Sequence, residues 1–311
     1  MKVFKPKFWS QKNFYSLILF PLSFLVIAFI SIKKNFTRKI NFDIPIICVG
    51  NIYIGGTGKT PLSIFIAKEL SYKNKRPCIV RKYYKDHFDE YNMIKKKFNG
   101  LITDYNRSKA LYLAQKEKFD LAILDDGLQD YKINKDLNIV CFNTNQLVGN
   151  GFVIPAGPLR EKLDALKNIS IVVLNGEKNY EFEKKILSIN KYLKIFYSKY
   201  IPVNLQDFKE KKLLAMAGIG NPENFFSILS QNNIRIHKKI SFPDHYKFDR
   251  SELLRIIDIA NNNNCEIITT EKDYNRVKHF NFKELNYLKV DLKIENREEF
   301  LKNILEIYEK H

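Results

Sequence analysis

Cysteine is scarce and dispersed. Cys48, Cys78, Cys141 and Cys265 form no Cys-x-x-Cys pair, which argues against a disulfide framework and reads as small core residues in a reducing compartment. The five histidines show no metal-ligand spacing, so no structural zinc is expected. No Asn-Lys-x-Asp string is present to read guanine, and there is no internal repeat or low-complexity tract. The asparagine run 261–264 reads as a helix end and turn. Basic residues are in excess: 52 Lys and Arg stand against 34 Asp and Glu, a net charge of +18. Such a balance suits an anionic partner such as a nucleotide, a phosphorylated substrate or membrane headgroups. A codon bias toward Lys, Asn and Ile would produce the same total, so local clusters weigh more than the sum. With 311 residues and 45% apolar content, the chain has room for two domains with proper cores.

The segment Gly50-Asn-Ile-Tyr-Ile-Gly-Gly-Thr-Gly-Lys-Thr-Pro61 follows an apolar run, Ile44 to Val49, and precedes a helical pattern, Leu62 to Leu70. A strand thus delivers the chain to a glycine-rich loop whose N–H groups can converge on an anion. The next helix adds its positive end, and Lys59 adds a mobile cation. Tyr53 stands where the eight-residue phosphate-loop consensus asks for Gly. Gly55, Gly56 and Gly58 still permit close backbone approach around Thr57, and Thr60 occupies the position of a Mg2+ ligand. The pattern predicts binding of a nucleoside triphosphate; an ordinary glycine-rich strand-loop-helix turn is the alternative.

From Phe14 to Ile32 run 19 residues without a charge, which as a helix would span roughly 28 Å, about the hydrocarbon thickness of a bilayer. Lys2, Lys5, Lys7 and Lys12 precede it and Lys33, Lys34, Arg38 and Lys39 follow, so flanking charge gives no orientation. Ser16, Ser23 and Ser31 form a thin polar stripe on one face. That stripe and Pro21 suit a helix lying in the membrane interface or packed on its own domain better than a clean span. A buried core helix is the other possibility. A signal peptide is not expected, because no small-residue cleavage pattern follows.

Beyond the phosphate loop, apolar runs at Cys78 to Val80, Leu121 to Leu124, Ile139 to Phe142 and Ile169 to Leu174 alternate with helical or loop segments. This is the βα alternation of a doubly wound parallel sheet. A second α/β set begins near Lys212 and ends in a helix over Arg297 to Lys310, with 197–208 as the linker. Three regions are therefore expected: 1–40 as a membrane-associated helix, 41–200 as a P-loop domain and 201–311 as a smaller α/β domain. Asp120-Leu-Ala-Ile-Leu-Asp-Asp-Gly-Leu-Gln-Asp130 places Asp125 and Asp126 where a strand ends. Because successive strand residues face opposite ways, one of the two can serve Mg2+. An Asp-Asp-Gly turn closing a strand is the plain alternative.

Taken together these strings resemble the tetraacyldisaccharide 4′-kinase family. The resemblance runs almost end to end: Phe8-Trp9, Pro21-Leu-Ser23, Val49-Gly-Asn51, Gly55 to Pro61, Asp125 to Gln129, Gly149-Asn-Gly151, Pro155 to Glu161, Ala215 to Gly220, Phe242-Pro-Asp-His-Tyr246 and Thr270-Glu-Lys-Asp273. The resemblance implies a P-loop NTPase-type fold and transfer of the γ-phosphate of ATP, with Mg2+, to the 4′-hydroxyl of a tetraacyldisaccharide 1-phosphate. It also implies work on a membrane surface, at the cytoplasmic face of the bacterial inner membrane, with neither nucleic acid nor an obligate protein partner. By this likeness Lys59 and Thr60 hold phosphates and metal. Asp126 and Glu161 are metal-side carboxylates with Asp125 and Gln129 beside them, and the base is an Asp working with His245.

The family's base lies in a Gly-Asp-Glu-Pro string that appears here as Phe88-Asp-Glu-Tyr91, so Asp89 is the equivalent and Asp86 its competitor. Two further departures are Val80-Arg-Lys-Tyr83 for Ser-Arg-Gly-Tyr, and Asp130 for the usual His. On sequence alone His245 reads equally as a satisfied histidine in a turn. Thr270-x-x-Asp273 reads mainly as a helix cap, and Asn221-Pro222 as a helix start. A partitioning-type membrane ATPase or scaffold is the alternative function, although it would carry a lysine where Ile54 stands.

Overall fold

The computed structural model describes residues 6–85, 87–244 and 246–308, with Asp89 described in its backbone alone. The strands, in chain order, are β1 (Ile46–Gly50), β2 (Pro77–Lys82), β3 (Leu101–Asp104), β4 (Leu121–Asp125), β5 (Leu137–Asn143), β6 (Ile171–Asn175), β7 (Lys194–Pro202), β8 (Leu213–Ala217), β9 (Ile236–Ser241), β10 (Glu266–Thr270), β11 (Leu285–Leu288) and β12 (Val290–Ile294). The helices are α1 (Phe14–Phe36), α2 (Lys59–Tyr72), α3 (Phe88–Lys97), α4 (Arg107–Lys116), α5 (Tyr180–Ile189), α6 (Pro222–Gln231), α7 (Arg250–Asn262), α8 (Glu271–Val277) and α9 (Arg297–Tyr308).

The chain forms two compact units. The larger takes in residues 6–83, 98–199 and 292–308 and holds an eight-stranded sheet in the order β12-β7-β6-β5-β1-β4-β2-β3. Its central strands β1 and β4 are apolar runs buried at every position, as in a parallel sheet covered on both faces. β1 lies between β4 and β5, parallel to both, so the loop after β1 leaves the sheet where the direction of winding reverses, the usual ligand position in such sheets. The smaller unit is built on residues 200–291 together with 84–97, around a four-stranded parallel sheet, β11-β10-β8-β9. A single boundary near residue 200 assigns α3 to the larger unit and α9 to the smaller. In the structure α3 packs on α8, while α9 packs on β7 and α2 through Phe300 against Phe196 and Phe65. Residues 197–202, read as linker from sequence, are instead the second half of β7.

α1 starts with a reciprocal cap. Ser16 N donates to Asn13 Oδ1 at 3.0 Å and Asn13 N donates to Ser16 Oγ at 2.9 Å. Its buried residues are Ser16 and Ser23. Ser23 Oγ donates to the Val153 carbonyl at 2.6 Å and accepts from Ala156 N at 3.1 Å, so Ser23 docks the helix on the loop before Leu159, while Ser31 of the same stripe is exposed. Trp9 reinforces this: its indole donates to the Pro155 carbonyl at 3.0 Å, and its own carbonyl accepts from Asn150 N at 2.8 Å. The large apolar residues point away, with Phe14, Leu25 and Phe29 each about two-thirds exposed. The alternative of a buried core helix therefore falls. Ser23→Val is expected to lower the Tm of the larger unit, because it strands a buried carbonyl and a buried N–H at a cost of about 1–3 kcal/mol; thermal melting checks it, and an unchanged Tm would contradict this account of the docking.

Candidate active site

The loop after β1 is shaped from inside. Asn51, fully buried, donates through Nδ2 to the Gly55 carbonyl at 3.3 Å and to Thr57 Oγ1 at 3.0 Å. Thr57 is itself 2% exposed, so what it offers an anion is its backbone N–H and not its hydroxyl. Gly58 caps α2 with φ +93°, a conformation that only glycine adopts without strain. Tyr53, in the consensus glycine position, is buried and forms an antiparallel bridge with Leu159. Ile54 N donates to the Pro158 carbonyl at 2.8 Å and Arg160 N to the Ile52 carbonyl at 2.7 Å. The tyrosine position thus clips the loop to the strand-like segment that delivers Arg160 and Glu161.

Thr60 and the two aspartates are brought together by register. Val49 pairs with Asp125 across β1 and β4, and Asp126 N donates to the Val49 carbonyl at 2.9 Å. The approach is tight, since a Cβ on Gly50 would lie 2.5 Å from Leu128 Cβ. Asp125 is 0% exposed and accepts from Thr60 Oγ1 at 2.9 Å, from Ser63 Oγ at 3.4 Å and from Arg81, which is also buried. The family likeness sets Asp125 beside the metal-side carboxylates, as a catalytic residue; in the structure protein groups surround it, and it holds Thr60. The Thr60 hydroxyl donates to Asp125 and accepts from Arg81 at 3.0 Å, which leaves one of its two lone pairs for a cation.

Asp126 has the opposite surroundings. With φ +58° at the strand end, it faces Lys59 Nζ at 3.6 Å and Arg160 at 2.7 Å. Burial pushes its carboxyl up, but the Lys59 and Arg160 cations outweigh that and hold it well below the usual carboxylate range. Burial likewise lowers the Lys59 ammonium, with Asp126 opposing. Gln129 ties the rim together, donating to Glu161 Oε1 at 2.9 Å and to the Asn51 carbonyl at 3.1 Å while accepting from Arg160 at 3.3 Å. Arg107 donates to the Asp126 carbonyl at 2.5 Å and faces Asp130 at 3.6 Å, so the carboxylate found in place of the family's His serves as the partner of an arginine.

Of the expected site residues, the larger unit gathers Gly55, Gly56, Thr57, Gly58, Lys59, Thr60, Asp125, Asp126, Gln129 and Glu161 at the carboxyl ends of its central strands. Asp86 and His245, and the side chain of Asp89, lie outside the described residues; Asp89 belongs in its backbone to the first turn of α3, in the smaller unit. Sequence reasoning left Asn51, Arg81, Arg107 and Arg160 without roles. Arg81 and Arg160 stand inside strings that were singled out, but an arginine's partner is set by the sheet and not by its neighbours in sequence. Among the described residues no group of three or more His, Cys, Asp or Glu side chains is placed to hold a metal.

A doubly wound sheet whose central strand opens into this loop, with Lys and Thr at the helix start and carboxylates on the adjoining strand, defines a P-loop NTPase-type protein. Residues 15–309 match the family described as LpxK, tetraacyldisaccharide-1-P 4′-kinase, and the chain belongs to that family; it is a kinase. It is 41% identical to the tetraacyldisaccharide 4′-kinase of Pelagibacter ubique over the whole of both chains. To that of Rickettsia canadensis it is 34% identical over 95% of each. The crystal structure of LpxK from Aquifex aeolicus in complex with ATP superimposes with a TM-score of 0.69 at 25% identity, covering 94% of this chain and 99% of that one. These relatives set aside the partitioning-type ATPase.

Proposed function

We propose that the chain binds ATP with Mg2+ on the loop from Gly55 to Thr60 and transfers the γ-phosphate to the 4′-hydroxyl of tetraacyldisaccharide 1-phosphate at the cytoplasmic face of the inner membrane. The observation that carries this reading is the Thr60–Asp125–Arg81 cluster at the start of α2, with Lys59 and Asp126 above it. In the transfer the sugar oxygen bonds to the γ-phosphorus and the bond from that phosphorus to the β-bridging oxygen breaks. The hydroxyl proton passes to Asp89, assisted by His245, and ADP leaves. Charge in this loose transition state spreads over the moving group, so neutralisation and positioning carry most of the rate. Lys59 and the loop N–H groups hold the phosphates, and Arg160 adds a second cation beside Asp126. Thr60, Asp126 and Glu161 would hold Mg2+, which when bound neutralises the β- and γ-oxygens. Asp125 is a positioning residue in this scheme. Incubation with γ-labelled ATP and the tetraacylated disaccharide should place label on the 4′-oxygen; ADP release independent of the lipid would overturn the proposal.

The acceptor carries long acyl chains, so the site must meet a lipid surface. α1 supports this: it is long and apolar enough to cross a membrane, yet the serine docking and its large exposed face suit a helix lying in the interface. Its last turn brings Lys33 over the Tyr131 ring, 6.0 Å from the centroid, beside the loop that follows Asp126. Replacing Leu22, Leu25 and Phe29 together with serine is expected to weaken sedimentation with vesicles of phosphatidylethanolamine and phosphatidylglycerol at least tenfold, since each large apolar side chain withdrawn from water contributes about 1.5–3 kcal/mol. Unchanged sedimentation would refute the docking face.

A further inference from the structure

The smaller unit carries Glu90 and Asp244, the sequence neighbours of the two residues proposed for proton removal, and a lysine outside that assignment joins them. Lys272 lies in the first turn of α8, between Glu271 and Asp273. Its Nζ is 2.7 Å from Glu90 Oε1 and 3.4 Å from Asp244 Oδ1. Glu90 directly follows Asp89 in α3, and Asp244 directly precedes His245. One ammonium therefore bridges the carboxylate neighbours of both. The lysine side chain is 18% exposed and that of Glu90 11%, so this is a largely desolvated contact and not a loose surface pair.

The platform under Lys272 is rigid. Thr270 caps α8, its Oγ1 accepting from Asp273 N at 3.1 Å and donating to Asp273 Oδ2 at 2.7 Å. Asp273 is wholly buried, accepts from Gly218 N at 2.9 Å and pairs with Arg276 at 2.7 Å. Two further ties join the far end of α3 to α8: Lys97 to Glu271 at 2.8 Å and Lys96 to Asn275 Oδ1 at 3.0 Å. A helix cap alone needs only Thr270 and Asp273. It does not call for a long cation between them directed at two carboxylates from separate segments.

We infer that Lys272 is a positioning residue for phosphoryl transfer, fixing the Asp89 turn of α3 and the His245 loop at a set separation through Glu90 and Asp244. The inference rests on the proposal that Asp89 and His245 take the acceptor's proton. A shift of about 1 Å in such a pair costs on the order of a hundredfold in rate, whereas loss of a surface tie costs little.

The experiment compares Lys272→Met, Lys272→Arg, Glu90→Gln and Lys97→Met in the full-length enzyme, with ATP and the tetraacylated disaccharide as substrates. Lys272→Met is expected to lower kcat by about 10- to 100-fold with the KM for ATP within a factor of about two. Lys272→Arg should recover most of the loss. Glu90→Gln, which keeps the ammonium and the side-chain shape, should lower kcat in the same direction if Lys272→Met proves too unstable to assay. Lys97→Met, which breaks a comparable tie two turns away, should lower Tm without a matching fall in kcat. Equal kcat losses in Lys97→Met and Lys272→Met would reduce Lys272 to a structural tie, and wild-type kcat in Lys272→Met would overturn the inference. Asp89→Asn separates the two levels: if it turns over normally, the assignment of the base fails, whereas an inactive Asp89→Asn beside a fully active Lys272→Met sinks only the role of Lys272.

Discussion

Lys59→Ala is expected to lower turnover about a thousandfold, the upper end of what one preorganised charge contributes to a developing anion, while His245→Ala lowers it less. The order follows from the chemistry. In a loose transition state the acceptor hydroxyl loses its proton late, so the base contributes less than the groups that neutralise the moving phosphoryl. Steady-state kinetics of both variants with ATP and the lipid acceptor decide it, and the reverse order would overturn this account of the site. Stability should move differently from activity. Burial lowers the Lys59 ammonium below its ordinary 10.5, so between the lowered value and 10.5 the unfolded chain binds more protons than the folded one, and stability rises with pH across that window. The charged lysine thus opposes folding at neutral pH. Lys59→Ala should melt no lower than the parent at pH 7 and should lose that alkaline rise, the signature of a group kept for function at a cost in stability.

Asp125→Asn is expected to fail in both respects. Arg81 is 6% exposed and pairs with Asp125, itself fully buried. Removing one partner of such a pair leaves a desolvated charge and costs about 3–5 kcal/mol, roughly 6 to 20 °C in Tm for a unit of this size. Turnover should also fall, because the amide keeps one acceptor oxygen in place of the carboxylate's two, so Thr60, bonded to Oδ2, and Ser63, bonded to Oδ1, can no longer both be held. The two losses separate in the double variant Asp125→Asn with Arg81→Met. Removing the stranded guanidinium should restore much of the Tm and none of the turnover. Recovery of activity together with stability would show that Asp125 acts only through the fold.

The phosphate loop was legible because everything it needs is local: a strand, glycines that tolerate φ +93° at Gly58, Lys59 and Thr60, and a helix. The Thr270–Asp273 cap was legible for the same reason and is present as a reciprocal pair. Asp125 and Asp126 were visible as adjacent acids at a strand end, but their division of labour was not. One faces Arg81 from β2, the other Lys59 and Arg160, and both partnerships come from strand order. The departures at Val80-Arg-Lys-Tyr83 and Asp130 became interpretable in the same way, through Arg81 against Asp125 and Arg107 against Asp130.

Two strands without clear periodicity, β3 and β7, escaped the sequence reading because pairing with β2 and, over Lys194–Ser198, with β6 makes them strands. The serine stripe of α1 announced a polar face, and the tertiary structure supplied what Ser23 within it touches, Val153 and Ala156. By itself the amino-acid sequence determined the family, the phosphate loop and the presence of an apolar leading helix, since each is written in contiguous residues whose backbone needs are short-range. Only the tertiary structure decided that α3 packs with α8 and that Asp125 is sealed behind Thr60. It alone brought Lys272 to the neighbours of Asp89 and His245, because those contacts join residues tens to nearly two hundred positions apart and exist only once the sheets have assembled.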